Sequence, residues 1–320
     1  MQLPTLDDLH RATEVVRTVM PPTPQYSWPL LNHRAGTEVW VKHENHSPVG
    51  AFKLRGATVY MDSLKHSGPS VKGVIAATRG NHGQGVAHAA ARLGLTATIV
   101  VPHGNSREKN RAMQALGAEL IEHGDDFQAA LEHATALAET RGLHMIPSFH
   151  PLLVHGTGTY ALEMFNTTPE LDAVYIPIGL GSSICGVVSV RNALGLKTKI
   201  VGVVATDAPA YALSFRERKP VSHPSTARLA DGLSCRVPVP EALDIILANV
   251  DHIVEVTEQE TAAALRAYYE DTHNVAEGAS AAALAGLLKE REALRDKRVG
   301  VVLTGGNIDR ELFLEALGNA

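Results

Sequence analysis

Short apolar runs, many rich in β-branched residues, recur along this chain at Gly73–Thr78, Leu95–Pro102, Ala118–His123, Leu143–Ile146, Val174–Ile178, Ile200–Ala205, His252–Val256 and Arg298–Leu303. Between them lie stretches with helical spacing, clearest at Gly83–Leu93, Arg107–Leu116 and Asp126–Thr140. Runs that are apolar at successive rather than alternate positions need cover on both faces, which parallel strands wrapped by helices provide. The pattern predicts an α/β chain with two mainly parallel sheets flanked by helices. At 320 residues, 45% of them hydrophobic, the chain can bury a core large enough to divide into two lobes.

Several function classes fall away. Net charge is −5 with Lys and Arg scattered, so there is no basic footprint for nucleic acid or an anionic membrane. The N-terminal Met1-Gln2-Leu3-Pro4-Thr5-Leu6-Asp7-Asp8 is acidic and lacks the apolar core of a signal peptide. No apolar run is long enough to span a bilayer. Cys185 and Cys235 lack CxxC spacing, which speaks against structural zinc and for a reducing compartment. His43 and His46 lack HExxH spacing and a third ligand, and read as ordinary polar residues. The expectation is a soluble, cytoplasmic protein without a metal. Thr5 and Asp8 predict a capped helix start ahead of Leu9, Ala12, Val15, Val16 and Val19. Pro21-Pro22-Thr23-Pro24 ends that helix and leads into an extended segment.

Chemistry concentrates at four places. In the first, strand-like Glu38-Val39-Trp40-Val41-Lys42 passes through a Pro48-Val49-Gly50 turn into Ala51-Phe52-Lys53-Leu54-Arg55-Gly56. An amine between Phe52 and Leu54 at such a junction is partly desolvated, which favours its neutral, nucleophilic form. The same spacing suits a lysine that snorkels from a half-buried helix start. In Thr78-Arg79-Gly80-Asn81-His82-Gly83-Gln84, two glycines leave N–H groups free where a strand feeds a helix, a place that attracts anions. Asn81 equally suits a cap. Gly179-Leu180-Gly181-Ser182-Ser183-Ile184-Cys185-Gly186 also follows a strand and precedes a helix beginning near Ile184. Its small residues let the backbone wrap a phosphate. It is no dinucleotide fingerprint, because Ile184 takes the third glycine position, and no P-loop lysine follows. Finally, Thr304 ends a strand just before Gly305-Gly306-Asn307.

In this order and spacing the four motifs resemble the pyridoxal-phosphate enzymes of the tryptophan-synthase-β fold type, and more narrowly the serine/threonine dehydratase and serine racemase family. The resemblance runs from Thr5 to the C-terminus. It implies a two-lobed fold type II enzyme, with a large cofactor-binding domain at 1–62 and 149–320, a small domain at 63–148 inserted into it, and the active site in the cleft between them. The implied cofactor is pyridoxal 5'-phosphate. Its neighbours would be Phe52, Lys53, Asn81, Gly179, Leu180, Gly181, Ser182, Ser183, Glu277 and Thr304. Lys53 would be the catalytic residue, tethering the cofactor and removing the Cα proton. Asn81 would bond the ring oxygen and Thr304 the pyridine nitrogen, while the glycine loop would hold the phosphate. Thr78, Arg79, Gly80 and His82 would receive the substrate. Glu277 matches a family glutamate beside the cofactor, and equally suits an acid at a helix N-terminus. Ala230-Asp231-Gly232 would approach the site or form a simple turn. Gly156-Thr157-Gly158-Thr159 would start a helix that supports the cleft.

The implied activity is dehydration of a β-hydroxy amino acid of the threonine or serine type to a 2-oxo acid and ammonia, by a homodimeric ammonia-lyase. A hydroxyl at Thr304 does not hold the ring nitrogen protonated as a carboxylate does, which suits β-elimination. Arg79 offers its guanidinium to an anion or an aromatic face, or else swings to solvent, so 3-hydroxyaspartate and β-phenylserine stay open as substrates. An amino-acid racemase of the same fold is a rival reading. In serine racemases a serine stands two residues before the loop asparagine, where this chain has Arg79, which cannot serve as an acid-base partner. A cofactor-binding protein without turnover is another rival, and β-replacement synthases carry a different lysine motif. The glutamate and aspartate that hold a divalent cation in serine racemases fall at Ala205 and Tyr211, so no Mg²⁺ or Ca²⁺ site is expected. Leu180 and Ser182 depart from the family's tetraglycine-like run but leave a phosphate cup. With the sequence ending soon after Asp309, the regulatory domain of biosynthetic threonine deaminases is not expected.

Overall fold

The computed structural model describes residues 1–68 and 70–318. Its strands are β1 (Gln25–Ser27), β2 (Glu38–His43), β3 (Gly73–Ala77), β4 (Thr96–Val101), β5 (Glu119–Glu122), β6 (His144–Met145), β7 (Ala173–Pro177), β8 (Lys199–Ala205), β9 (His252–Val256) and β10 (Arg298–Leu303). They form two sheets, a larger one in the order β1-β2-β10-β7-β8-β9 and a smaller one in the order β5-β4-β3-β6. Every pairing is parallel except β1 with β2. The successive apolar residues are spent on two covered faces, as the pattern requires. Val299, Val301 and Leu303 of β10 join a core with the helix Gly278–Lys289, whereas Val302 joins one with the helix Ser182–Ala193. The strands β3 and β7 are buried at every position. Among the described residues no helix is long and apolar enough to cross a membrane.

The first helix, Leu6–Arg17, has the expected capping box: Asp8 N–H donates to Thr5 Oγ1 at 3.2 Å and Thr5 N–H to Asp8 Oδ2 at 2.9 Å. Other helix starts differ from expectation. One begins at Asn81 rather than Gly83, and another at Ser182 rather than near Ile184, so both loops are shorter and their polar residues fall on the first helical turn. The Gly156–Thr159 run does not start a helix. It lies inside the helix Pro151–Thr167, which opens on Pro151 with the His150 ring accepting the Leu152 N–H. Its small residues serve close packing: a Cβ on Gly156 would lie 2.4 Å from the Arg55 carbonyl oxygen. The short edge strand β1 has no apolar run to announce it and was expected only as extended chain.

A buried polar cluster lies under the helix Lys53–Ser67. Arg55, fully enclosed, donates to both oxygens of Glu44 (2.7 and 2.9 Å) and both of Glu163 (2.9 and 2.9 Å). Lys42 Nζ donates to Glu163 at 2.6 Å, and Thr23 Oγ1 to Glu44 at 2.6 Å. Burial works to raise the Glu163 carboxyl, but Arg55 and Lys42 overcome it and hold the group at about 2. Burial lowers the Arg55 guanidinium, and Glu44 and Glu163 more than reverse that. His43 is not an ordinary polar residue. It is buried beside Tyr26 and Trp28, accepts the Trp28 Nε1–H on Nε2 at 3.0 Å, and is pushed down to about 4 by burial. It serves there as a neutral core acceptor. His46 does stay polar and exposed, 2.9 Å from Asn274 Oδ1.

Two segments far apart in sequence meet just before Lys53. Phe52 N–H donates to the Thr304 carbonyl at 2.9 Å, and Ala51 bridges to Gly305. Backbone pairing thus ties Lys53 to the end of β10.

Candidate active site

A single cleft is lined by every site residue named from the sequence: Phe52, Lys53, Thr78, Arg79, Gly80, Asn81, His82, Gly179, Leu180, Gly181, Ser182, Ser183, Glu277 and Thr304. Most come from the C-terminal end of a strand or the first turn of the helix that follows, the usual position of ligand sites in open α/β sheets, whereas Glu277 comes from the junction of the helices Glu258–Thr272 and Gly278–Lys289. Lys53 opens the helix Lys53–Ser67. Its amine lies 3.5 Å from Ser182 Oγ and 5.0 Å from the Phe52 ring centroid. Burial pushes that amine down to about 8, with Glu277 pulling weakly the other way. A fraction of this amine is therefore neutral near pH 8, the form that can act as a nucleophile.

Beyond β7, the chain passes through Gly179 and Leu180 to Gly181, whose φ of +103° is a left-handed conformation that favours glycine. The helix Ser182–Ala193 then starts with no side chain capping it, so its first N–H groups face the cleft unspent. They can take an anion of phosphate size. Behind the loop, Tyr160 OH lies 2.6 Å from Ser183 Oγ, Thr157 Oγ1 donates to the Ser182 carbonyl at 2.7 Å, and Tyr211 OH donates to the Leu180 carbonyl at 3.0 Å. Three hydroxyls therefore brace the cup.

Across the cleft, Asn81 is fixed at both ends of its amide. Nδ2 donates to Glu277 Oε1 at 2.6 Å, and Oδ1 accepts from Asn307 Nδ2 at 2.9 Å. Glu277 is the N-cap residue of the helix Gly278–Lys289, though its side chain makes no capping hydrogen bond there, and it lines the cleft. Burial raises its carboxyl, Lys109 opposes and Asp231 adds to the rise. His82 is buried and pushed down to about 3 by desolvation and then by Lys53, so it is neutral. Arg79 lines the cleft and makes no hydrogen bond or ion pair among the described residues, which leaves its guanidinium free for a ligand.

Sequence reasoning missed Lys109. From the helix Arg107–Ala115 it reaches Asp231 at 3.0 Å and Glu277 at 3.4 Å, linking the smaller sheet's side of the cleft to the larger. In the sequence it is one charge in a polar helix, with no apolar flank or motif to single it out. Asp231, on the loop expected near the site or in a simple turn, does line the cleft.

Comparison with known proteins agrees with this geometry. The family model for pyridoxal-phosphate dependent enzymes matches residues 16–305. The chain is 33% identical over 306 residues to an L-threonine ammonia-lyase of Thermotoga maritima, covering 95% of this chain and 76% of that one. The matched biosynthetic threonine dehydratases are longer, and the chain spans 56% of their length. The processed form of threonine deaminase isoform 2 from Solanum lycopersicum superposes with a TM-score of 0.89 at 30% identity, covering 99% of this chain and 95% of that one. Maize serine racemase superposes with a TM-score of 0.92 at 25% identity, covering 99% and 98%.

Proposed function

We propose that this chain, which belongs to the pyridoxal-phosphate-dependent enzyme family, is an ammonia-lyase that converts a β-hydroxy amino acid of the threonine type to a 2-oxo acid and ammonia. The observation that carries the proposal is the convergence on one cleft of a deprotonatable lysine, an uncapped helix N-terminus and an uncommitted guanidinium.

The residues present fit the cofactor. The glycine cup exists because no side chain fills it: a Cβ on Gly179 would lie 2.7 Å from the Gly232 carbonyl oxygen, and one on Gly181 2.7 Å from Ala242 Cβ. Bound there, pyridoxal phosphate supplies the electron sink that lets a Cα–H bond break and a β-hydroxyl leave. The rest of the work belongs to the chain. Lys53 Nζ would tether the cofactor and would be the base for the Cα proton. The first N–H groups of Ser182–Ala193 hold the phosphate. Asn81 Nδ2 has one proton left after Glu277, which it would offer to the ring oxygen, and Phe52 would pack beside the ring. Thr78, Gly80 and neutral His82 shape the substrate carboxylate site, and Arg79 faces the β-substituent.

The depressed lysine has a measurable consequence. Apoenzyme captures the cofactor at a rate that rises about tenfold per pH unit below about 8 and levels above it, because only the neutral amine attacks. Stopped-flow absorbance checks this, and a rate still climbing steeply above pH 10 contradicts it.

Substrate and outcome are tested together. A panel of L-threonine, L-serine, 3-hydroxyaspartate and β-phenylserine is assayed for 2-oxo acid and for D-amino acid in the same tubes. The expected result is 2-oxo acid from threonine with little D-serine from serine, since Arg79 stands where a racemase needs a hydroxyl. D-serine accumulating as fast as pyruvate overturns the lyase reading in favour of a racemase.

No divalent cation belongs to the proposal. Ala205 ends β8 without a carboxylate, and Tyr211 OH is spent on Leu180 and on the Val239 N–H at 3.1 Å. EDTA is expected to leave turnover unchanged, and a loss restored by Mg²⁺ contradicts this. We further take 63–148 as the inserted small lobe, which the position of β3 to β6 between residues 73 and 145 supports. Cytoplasmic placement is supported by two free buried cysteines, and the homodimer by family resemblance alone.

A further inference from the structure

Thr304 brings a hydroxyl to the cleft, and among the described residues that hydroxyl has one protein partner, Ser280 Oγ, at 2.8 Å. Ser280 lies in the first turn of the helix Gly278–Lys289, directly behind the end of β10, and is wholly enclosed. It does not line the cleft, and the mechanism above gives it no task.

Counting protons gives it one. Ser280 Oγ accepts the Gly305 N–H at 2.7 Å. Its single proton has two acceptors within reach, the Gly305 carbonyl at 2.7 Å and Thr304 Oγ1 at 2.8 Å. The Gly305 carbonyl already accepts the Glu277 N–H at 3.1 Å, so it is satisfied without Ser280. Thr304 Oγ1 has no other donor among the described residues. If Ser280 gives its proton to Gly305, Thr304 must spend its own proton on Ser280 and offers the cleft only lone pairs, which repel an unprotonated ring nitrogen. If Ser280 gives its proton to Thr304, the Thr304 proton is free, and a hydroxyl that accepts one hydrogen bond donates the next more strongly.

We propose that Ser280 is a positioning residue for the cofactor ring: its proton goes to Thr304 Oγ1, and this fixes Thr304 as a donor toward the ring nitrogen. The proposal rests on the reading that Thr304 meets that nitrogen. Because Gly305 keeps the Glu277 N–H in either arrangement, turning the Ser280 hydroxyl leaves no buried acceptor stranded.

The test uses holoenzyme reconstituted with pyridoxal phosphate isotopically labelled at the ring nitrogen. The nitrogen NMR signal at one fixed pH and the cofactor dissociation constant are recorded for the wild type, Ser280→Ala, Ser280→Cys and Thr304→Val. Ser280→Cys keeps a γ atom with only weak hydrogen bonding at the site and guards against a folding defect in the alanine variant. The expected result is that both Ser280 variants move the signal from the wild-type position toward that of Thr304→Val and weaken cofactor binding about fivefold, the worth of one buried hydrogen bond. If Thr304→Val moves the signal while both Ser280 variants keep the wild-type signal and affinity, the role of Ser280 is overturned and that of Thr304 stands. If Thr304→Val itself leaves the signal unmoved, the Thr304 reading falls, and Ser280 with it.

Discussion

Lys53→Ala removes 2-oxo acid formation, by at least about 10⁴-fold, together with the visible absorbance of covalently held cofactor. Two losses combine in this variant. The tether goes, and so does the group that takes the Cα proton, a role worth about 10²–10⁴ by itself. No neighbour can replace it. Lys109 is engaged by Asp231 and Glu277, which raise its ammonium against the effect of burial, and Arg79 stays protonated. His82, on the first turn of the helix Asn81–Arg92, is held down to about 3 by burial and is a poor base. Added methylamine is expected to recover a small part of the rate, as a free base diffusing into the vacated space. Wild-type turnover in a folded Lys53→Ala protein would end the assignment of this cleft.

The largest expected effect on stability belongs to Arg55→Met. Removing the guanidinium takes away four carboxylate hydrogen bonds and leaves Glu44 enclosed with only the Thr23 hydroxyl as donor. Breaking a buried ion pair from one side costs about 3–5 kcal/mol, because the abandoned charge stays desolvated. Urea unfolding followed by fluorescence should report a loss of that size. The double variant Arg55→Met with Glu44→Gln should lose less than Arg55→Met alone, since no bare carboxylate remains at Glu44. Additive losses would show that packing, and not the stranded charge, sets the effect. Cofactor affinity should fall as well, because Arg55 anchors the helical turn that begins with Lys53.

The elements legible in the sequence were those with a local signature. Gly73–Ala77 and Ala173–Pro177 announced themselves as buried parallel strands because they are apolar on both faces. The Asn81 and Gly181 loops were legible because a strand, small residues and a helix follow one another without interruption. What escaped is set by contacts distant in sequence. Glu163 and Lys42 are 121 residues apart, and neither looks buried by itself. His43 looked like a surface polar residue because the aromatic neighbours that enclose it come partly from an unforeseen edge strand. The glycines of the 156–159 run resembled a helix start because small residues serve turns and close helix packing alike.

The order in which the large sheet is made has a consequence for when the enzyme can be charged with its cofactor. Its inner strand β10, which joins β2 to β7, is the last to be synthesised. Until Arg298–Leu303 has left the ribosome, β1–β2 and β7–β9 are separate fragments, each with an open edge where β10 belongs. Ala51 and Phe52 then have neither Gly305 nor Thr304 to pair with, so Lys53 has no fixed place. Cofactor loading therefore waits until β10 has been added. The same interval exposes two hydrophobic sheet edges, and it is the stage of biogenesis at which a chaperone matters most.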